Sequence, residues 1–378
     1  MGEGQMRALV IGGGVIGSAI AWRLSRAGVR TQVYDRGQLG EESSWAAAGL
    51  LGPQAEADGP GKLLNLCIDG MNAFNAIYRL LLEESRVNPE YDRAGLVYVA
   101  LDAKERAELE ARLKWQREAG LKLEELSGAQ ARELVPALSP DVIYALHFAG
   151  EGFIDNRKLT EAYIQAALRA GAGFYPCSAV DEVLERGGRV AGVRMSDGTI
   201  KEADVVVNAA GSWASRIKGC AADGISIRPV RGQILCFDAP VGTLRHAILS
   251  PRGYIVPRRS GRLLAGTTRE EAGYDKSVTL GGVAGIAHGV HALVPALGSV
   301  PLRQVWSGLR PAAPDYMPVI GPSPTLPGLY YATGHYRNGI LLAALTAEVI
   351  AELVAGGTPA LDLTAVLPAR FSSNGTEQ

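Results

Sequence analysis

Gly12-Gly13-Gly14-Val15-Ile16-Gly17 lies between an apolar segment, residues 7–11, and a helical pattern running on to Ala27, and its reading decides the N-terminal fold. The run matches G-x-G-x-x-G. In a strand-to-helix turn of that kind the first glycine allows the tight bend, the second lets backbone approach a pyrophosphate, and the third lets helix and strand pack closely. Gly12, Gly14 and Gly17 fill those places, and Val15 and Ile16 open a helix whose N-terminal amides meet the anion. Gly28 closes that helix, and residues 31–34 read as a parallel partner strand. Asp35 ends the strand 23 positions past Gly12, with Arg36 behind it. A carboxylate there accepts a ribose hydroxyl and repels a 2′-phosphate. A ligand-free turn with three glycines would lose backbone entropy for no gain, so the run reads as a dinucleotide cradle.

At 378 residues the chain exceeds what one hydrophobic core usually serves, and its 47% hydrophobic content can fill two. Its 38 Lys and Arg against 39 Asp and Glu give a net charge of −1, which offers no field to gather nucleic acid or anionic lipid. Cys67, Cys177, Cys220 and Cys236 are scattered without a C-x-x-C pair. That usage suits a cytoplasmic protein with reduced thiols, and the four read as small buried packing residues. His288 and His291 form one close pair inside an apolar helical pattern, with no cysteine or acid to complete a ligand set, so no metal is expected. Residues 339–356 are strongly apolar, yet Glu348 and Glu352 at helical spacing give them a wet face, so no membrane span is expected.

Residues 62–84 and 103–119 read as helices, the second closed by Gly120. Asn156 is placed to cap a helix that Gly171 ends. Residues 180–183 and 190–195 read as strands joined across Gly187-Gly188. Residues 203–211 form a short buried parallel strand ending in small residues, Gly211 last, where the chain can pass close to a cofactor. From about 224 to 266 the pattern changes to strands at 234–237, 254–257 and 263–266, which predicts a separate, mainly antiparallel sheet. Residues 329–333, Gly334 and a helix from Gly339 repeat the opening strand–turn–helix and predict a return to the first sheet. The expected fold is α/β, or α+β overall. A Rossmann-like dinucleotide-binding domain (1–85, 145–220 and 305–370) interleaves with an antiparallel-sheet substrate domain (86–144 and 221–304), and 371–378 is a disordered tail.

Four dispersed segments narrow the reading: Ser43-Ser44-Trp45-Ala46-Ala47-Ala48-Gly49-Leu50-Leu51, Gly253-Tyr254-Ile255-Val256-Pro257-Arg258, Trp306-Ser307-Gly308-Leu309-Arg310-Pro311 and Thr333-Gly334-His335-Tyr336-Arg337-Asn338-Gly339-Ile340. With the cradle, and in this order, they resemble the FAD-dependent D-amino-acid oxidase superfamily, most closely its glycine oxidase branch linked to thiamine biosynthesis. The resemblance runs over nearly the whole chain. It implies FAD lined by Ser43, Ser44, Ala48, Gly49 and Leu50, with the Val180 backbone at the adenine. The stretch His335, Tyr336, Arg337, Asn338, Gly339, Ile340 and Leu341 would set amides toward the flavin's pyrimidine edge. Sarcosine oxidases in the superfamily tether their flavin through a cysteine shortly after the arginine region, whereas Arg310-Pro311-Ala312-Ala313-Pro314 has none. The FAD is therefore expected to be noncovalent.

Arg310 follows a short apolar strand and precedes a proline, a stiff setting for a guanidinium that grips a substrate carboxylate through two parallel hydrogen bonds. A salt bridge to Asp315 is the alternative. Tyr254 would add a hydroxyl to that carboxylate or roof the site, or is core; Arg337 would support it, or forms a surface pair. The implied reaction removes a hydride from the α-carbon of a small amine or amino acid. The imine hydrolyses to a 2-oxo acid and ammonia, and dioxygen reoxidises the flavin to give hydrogen peroxide. No side chain is expected to act as general base. Arg269 stands where an apolar or methionine side chain is expected, and with Arg252 it points to substrates bearing a second acidic group, the alternative being solvated rim charges. The family often forms homo-oligomers, tetramers among them. A dehydrogenase passing electrons to a quinone, an NAD-dependent dehydrogenase and a non-catalytic FAD-binding scaffold are the competing readings.

Overall fold

The glycine turn joins the strand Arg7–Ile11 to the helix Val15–Arg26, and the strand Arg30–Tyr34 returns parallel to the first with Ile11 opposite Tyr34. This computed structural model describes residues 5–220 and 223–375. The opening unit sits at the centre of a six-stranded sheet, in the order Val319–Pro322, Leu329–Thr333, Val205–Asn208, Arg7–Ile11, Arg30–Tyr34, Gly173–Tyr175. All contacts in it are parallel except that between Val319–Pro322 and Leu329–Thr333. The helices Val15–Arg26, Lys62–Ser85, Asn156–Arg169 and Gly339–Val354 cover one face. On the other face Val183 and Val193 of a three-stranded antiparallel sheet pack against Leu9 and Val206. Burial on both faces is why Val205-Val206-Val207 is continuously apolar rather than alternating.

The second, eight-stranded sheet runs Leu302–Ala312, Arg228–Asp238, Arg262–Gly266, Gly253–Pro257, Ala247–Ser250, Leu96–Ala100, Tyr144–Phe148, Glu124–Ser127. Its one parallel contact joins Ala247–Ser250 to Leu96–Ala100. The helix Leu280–Leu293 packs one face through Ile286, Val290 and Leu293. On the opposite face Ala46, Ala48, Trp306 and Ile234 share a core with Leu109 and Leu113 of the helix Ala103–Glu118. That face carries the loop 43–58 between the two sheets, and so positions the site.

Several expectations change. The cap of the helix Asn156–Arg169 is Asp155, which accepts from the amides of Arg157 and Lys158; Asn156 is buried and its amide donates to the Ser44 and Trp45 carbonyls. Arg310 does not follow a strand but lies within the 11-residue edge strand Leu302–Ala312, the kind of strand that tolerates Pro311. Tyr144–Phe148 and Leu302–Ala312 both pair in the larger sheet, so the expected divisions at 145 and 305 fall inside its strands. Cys177 is exposed rather than buried, unlike Cys67, Cys220 and Cys236. The tail expected to be disordered is helical as far as it is described, Pro368–Gly375 forming a 3-10 helix, and 376–378 lie outside the described residues. Among the described residues no helix is long and apolar enough to cross a membrane.

Candidate active site

Two chambers open between the sheets and share Ser43, Ala47, Tyr336, Arg337 and Ile340 as common wall. The outer chamber begins at the glycine turn. Gly12 adopts φ 104°, and a Cβ there would lie 2.5 Å from the Ala209 carbonyl oxygen; a Cβ on Gly17 would lie 1.9 Å from the Gly12 oxygen. Both positions need glycine for the helix to sit this close to the strand ends. Asp35 accepts the Gly13 and Gly37 amides at 2.7 and 2.8 Å, and its burial raises its pKa against the pull of those two bonds. The Val15 amide donates to Ser44 Oγ at 2.9 Å. Arg36 stacks 3.6 Å from the Trp213 ring centre and pairs with Glu42 at 2.9 Å. At the far end Asn338 caps the helix Gly339–Val354 without any side-chain bond to its amides, so the positive end of that dipole is open beside Gly339 and Ile340. His335 Nε2 lies 2.9 Å from Thr346 Oγ1, and burial holds its pKa down to about 3, so the imidazole is neutral.

In the inner chamber Arg310 lies flat across Gly232. A Cβ on that glycine would come within 2.2 Å of Arg310 Nη2, so the guanidinium occupies space that any other residue would fill. Arg310 Nη1 donates to the carbonyls of Thr268 and Arg231 at 3.2 and 3.4 Å, and Nη2 to Thr267 Oγ1 at 2.7 Å. Three of its five N–H donors are thus used on neutral acceptors. No carboxylate among the described residues pairs with it, because Asp315 is taken by Arg370 at 2.8 Å. The Tyr254 hydroxyl stands over Gly266, where a Cβ would lie 2.6 Å away, and burial pushes its pKa up to about 12, keeping it a neutral donor.

The other cations differ. Arg337 donates to the Glu56 carbonyl and pairs with Asp58, both at 2.7 Å. Arg252 is tied to Asp102 at 2.9 Å and Glu105 at 2.7 Å, so it is not the free cation expected at the entrance. Arg269 Nη2 donates to the Tyr316 hydroxyl at 2.6 Å, which also accepts from Arg228 at 2.5 Å, and no acid among the described residues neutralises it.

Gly12, Gly14, Val15, Ile16, Asp35, Arg36, Ser43, Ser44, Val180, Gly211, His335, Tyr336, Arg337, Gly339 and Ile340 all line the outer chamber. Ala48, Gly49, Leu50, Tyr254, Arg269 and Arg310 line the inner one, again with Arg337. Gly17, Asn338 and Leu341 line neither: Gly17 is a packing contact, Asn338 a helix cap, and Leu341 a core side chain at 3% exposure. Sequence reasoning missed Glu56, Tyr98, Arg112 and Thr267 in the inner chamber and Asp181, Trp213 and Arg216 in the outer one. None of them belongs to a local pattern.

The family profile described as "FAD dependent oxidoreductase" (DAO) matches residues 7–353. The chain belongs to the FAD-dependent oxidoreductase family. The glycine oxidase of Geobacillus kaustophilus is 33% identical over 356 residues, covering 94% of each chain, and its crystal structure superposes with a TM-score of 0.91 at 32% identity over 97% of this chain and 99% of that one. The bifunctional protein ThiO/ThiG of a Synechocystis species is 33% identical over 96% of this chain and 54% of its own length. The hydrogen cyanide synthase subunit HcnC of Pseudomonas aeruginosa is 30% identical over 96% of this chain and 95% of its own. The cofactor of this FAD-dependent oxidoreductase fits the outer chamber: a cradle emptied of Cβ atoms would receive its pyrophosphate, Asp35 would take the ribose, and the uncapped end of the helix Gly339–Val354 would suit the electron-rich edge of its ring.

Proposed function

We propose that the protein oxidatively deaminates glycine and related small amines, sarcosine and small D-amino acids among them, to a 2-oxo acid, ammonia or a primary amine, and hydrogen peroxide. The observation that carries this reading is Arg310: a guanidinium with two unspent N–H donors and, among the described residues, no carboxylate partner, in a chamber that opens onto the dinucleotide chamber. Such a group suits the acid end of an amino acid. The likeness to glycine oxidases over nearly the full chain supports the same substrate class.

In this reading bound FAD supplies the two-electron acceptor. The turn Gly12–Gly14 and the first amides of Val15–Arg26 receive the pyrophosphate, Asp35 the ribose, Val180 the adenine edge, and Gly339 and Ile340 the electron-rich end of the ring. Arg310 and the Tyr254 hydroxyl hold the substrate carboxylate, and Arg337, braced by Asp58, walls the junction of the chambers. Fixing the carboxylate orients the α-carbon, which converts binding into rate. No cysteine lines either chamber among the described residues, in keeping with noncovalent FAD. We assign the six-stranded sheet to cofactor and the eight-stranded sheet to substrate. By likeness to ThiO/ThiG, the glycine imine is read as a precursor for the thiazole of thiamine, in a cytoplasmic homo-oligomer.

Anaerobic mixing of the holoprotein with glycine, sarcosine, D-alanine and L-alanine tests the reading through the flavin band near about 450 nm. Bleaching by the first three is expected, with peroxide on admission of air. A flavin that none of them bleaches refutes the reaction class, and bleaching without peroxide assigns a different electron acceptor.

A further inference from the structure

The inner chamber contains a carboxylate that no side chain among the described residues holds. Glu56 lies in the loop leading to the helix Lys62–Ser85, half-buried on the chamber wall; its amide donates to the Gly52 carbonyl at 3.0 Å and its carbonyl accepts from Arg337, but among the described residues no group bonds its carboxylate. The backbone around it is held from behind. Glu151, 2% exposed, accepts the amides of Gln54 and Ala55 at 2.5 and 3.1 Å. Arg112 donates to the carbonyls of Gln54, Ala55 and Ala57, and Gln116 donates to Gln54 O at 2.9 Å. A loop fastened through four consecutive residues by side chains of other elements presents its remaining group in a fixed place. Asp58, the other acid on this wall, is already paired with Arg337.

We propose that Glu56 receives the substrate's amino group and takes its proton. The assignment rests on the amine-oxidation reading above and names the residue that reading left without a partner. A neutral-pH amino acid enters as a zwitterion. Arg310 accounts for its carboxylate, and the ammonium then needs an anion in the same chamber. A hydride leaves the α-carbon readily only when the nitrogen carries a lone pair, so one N–H proton must go first. In that step the N–H bond breaks, an O–H bond forms on a Glu56 oxygen, and the bonding pair stays on nitrogen. No electron leaves the substrate until the later hydride departure to FAD. In this proposal Glu56 takes the role of base that the sequence assigned to no side chain.

Burial, helped by the neighbouring acid Asp58, holds the Glu56 carboxyl above the ordinary carboxylate value, while Arg337, Arg310 and Arg112 around it pull the other way. Tyr254, Cys67 and Glu151 are the other titratable groups facing it. Burial keeps the first two protonated at neutral pH. The balance suits a carboxylate that exchanges a proton with a bound amine.

Glu56→Gln holoenzyme separates this role from simple packing. The first readout is equilibrium binding, by calorimetry, of 2-aminoisobutyrate, which has no α-hydrogen to lose, against pivalate, its isostere without the ammonium. Wild type should prefer the amine, and E56Q should lose that preference by about tenfold or more while binding pivalate at least as well. The second readout is anaerobic FAD reduction by glycine as a function of pH. In E56Q the ammonium must shed its proton to water, so the acid limb should move up by about one unit or more. Glu56→Asp should recover part of both effects. Equal weakening of both ligands, no amine preference in wild type, or an unmoved pH profile overturns the assignment while glycine still reduces the flavin. Flavin that glycine does not reduce in wild type overturns the assignment together with the reaction class.

Discussion

Replacing Arg310 with alanine should separate substrate recognition from cofactor binding, and the structure sets the size of the effect. The guanidinium spends three N–H groups on Thr268 O, Arg231 O and Thr267 Oγ1, which leaves two for a substrate carboxylate. Two charge-assisted hydrogen bonds at about 1.5–3 kcal/mol each amount to roughly 3–6 kcal/mol, or about 10²- to 10⁴-fold in kcat/KM. The groups released by the mutation face an open chamber where water can replace the guanidinium, so the cost to folding should be small. Arg310 lines the inner chamber and not the outer one, so FAD affinity should change little. The assay is anaerobic reduction with glycine beside fluorescence titration of the apoprotein with FAD. Parallel losses in both, or an unchanged affinity for glycine, would refute the reasoning and make the arginine a structural strut.

Gly232→Ala should mimic much of that loss without touching the arginine, because the new methyl would lie 2.2 Å from Nη2 and displace the guanidinium; the check is kcat/KM for glycine with FAD content measured alongside. Arg269→Ala should leave kcat/KM for glycine and sarcosine within about threefold while lowering that for D-aspartate, since an exposed cation is worth little except to a second anion within reach; unchanged ratios among the three substrates eliminate that role. Glu151 carries a pKa pushed by burial from an ordinary 4.5 up to about 8, so its contribution to stability is present below the lower value and lost as pH rises through the higher one. Glu151→Gln keeps an acceptor for the loop amides and should flatten the fall in Tm between about pH 5 and about pH 9, read by calorimetric scans.

The cradle was legible because nearly everything it needs is local. Strand, turn, helix and acid fall within residues 7–35, and Gly17 answers to the Gly12 carbonyl in the same turn, while only Gly12 needs the distant strand end at Ala209. Arg310 was legible as a type of residue but not in its setting. Its room comes from Gly232, which becomes its neighbour only when Val230 pairs opposite Arg310 across two long strands. Tyr144–Phe148 gave no strand signal because both its faces are buried and alternation vanishes. At the helix Asn156–Arg169 two cap-forming residues stand side by side, and tertiary contacts settle the choice: Asn156 is drawn to the carbonyls of Ser44 and Trp45, which leaves Asp155 as cap. Glu56 was invisible for the same reason. Its significance lies in what grips the loop from behind, and those residues, Arg112 and Glu151, come from a distant helix and a turn after Tyr144–Phe148.

The order in which strands enter the two sheets bears on how such an enzyme can diversify. The chain contributes residues 7–34 to the six-stranded sheet, 96–148 to the eight-stranded one, 173–175 and 205–208 to the first, 228–312 to the second and 319–333 to the first again. No single stretch of gene therefore encodes either half, and shuffling contiguous blocks between paralogues would break hydrogen-bonded ladders in both sheets at once. New selectivity in this architecture has to come from point changes along the chamber wall, at positions such as Arg269, rather than from exchange of ready-made modules.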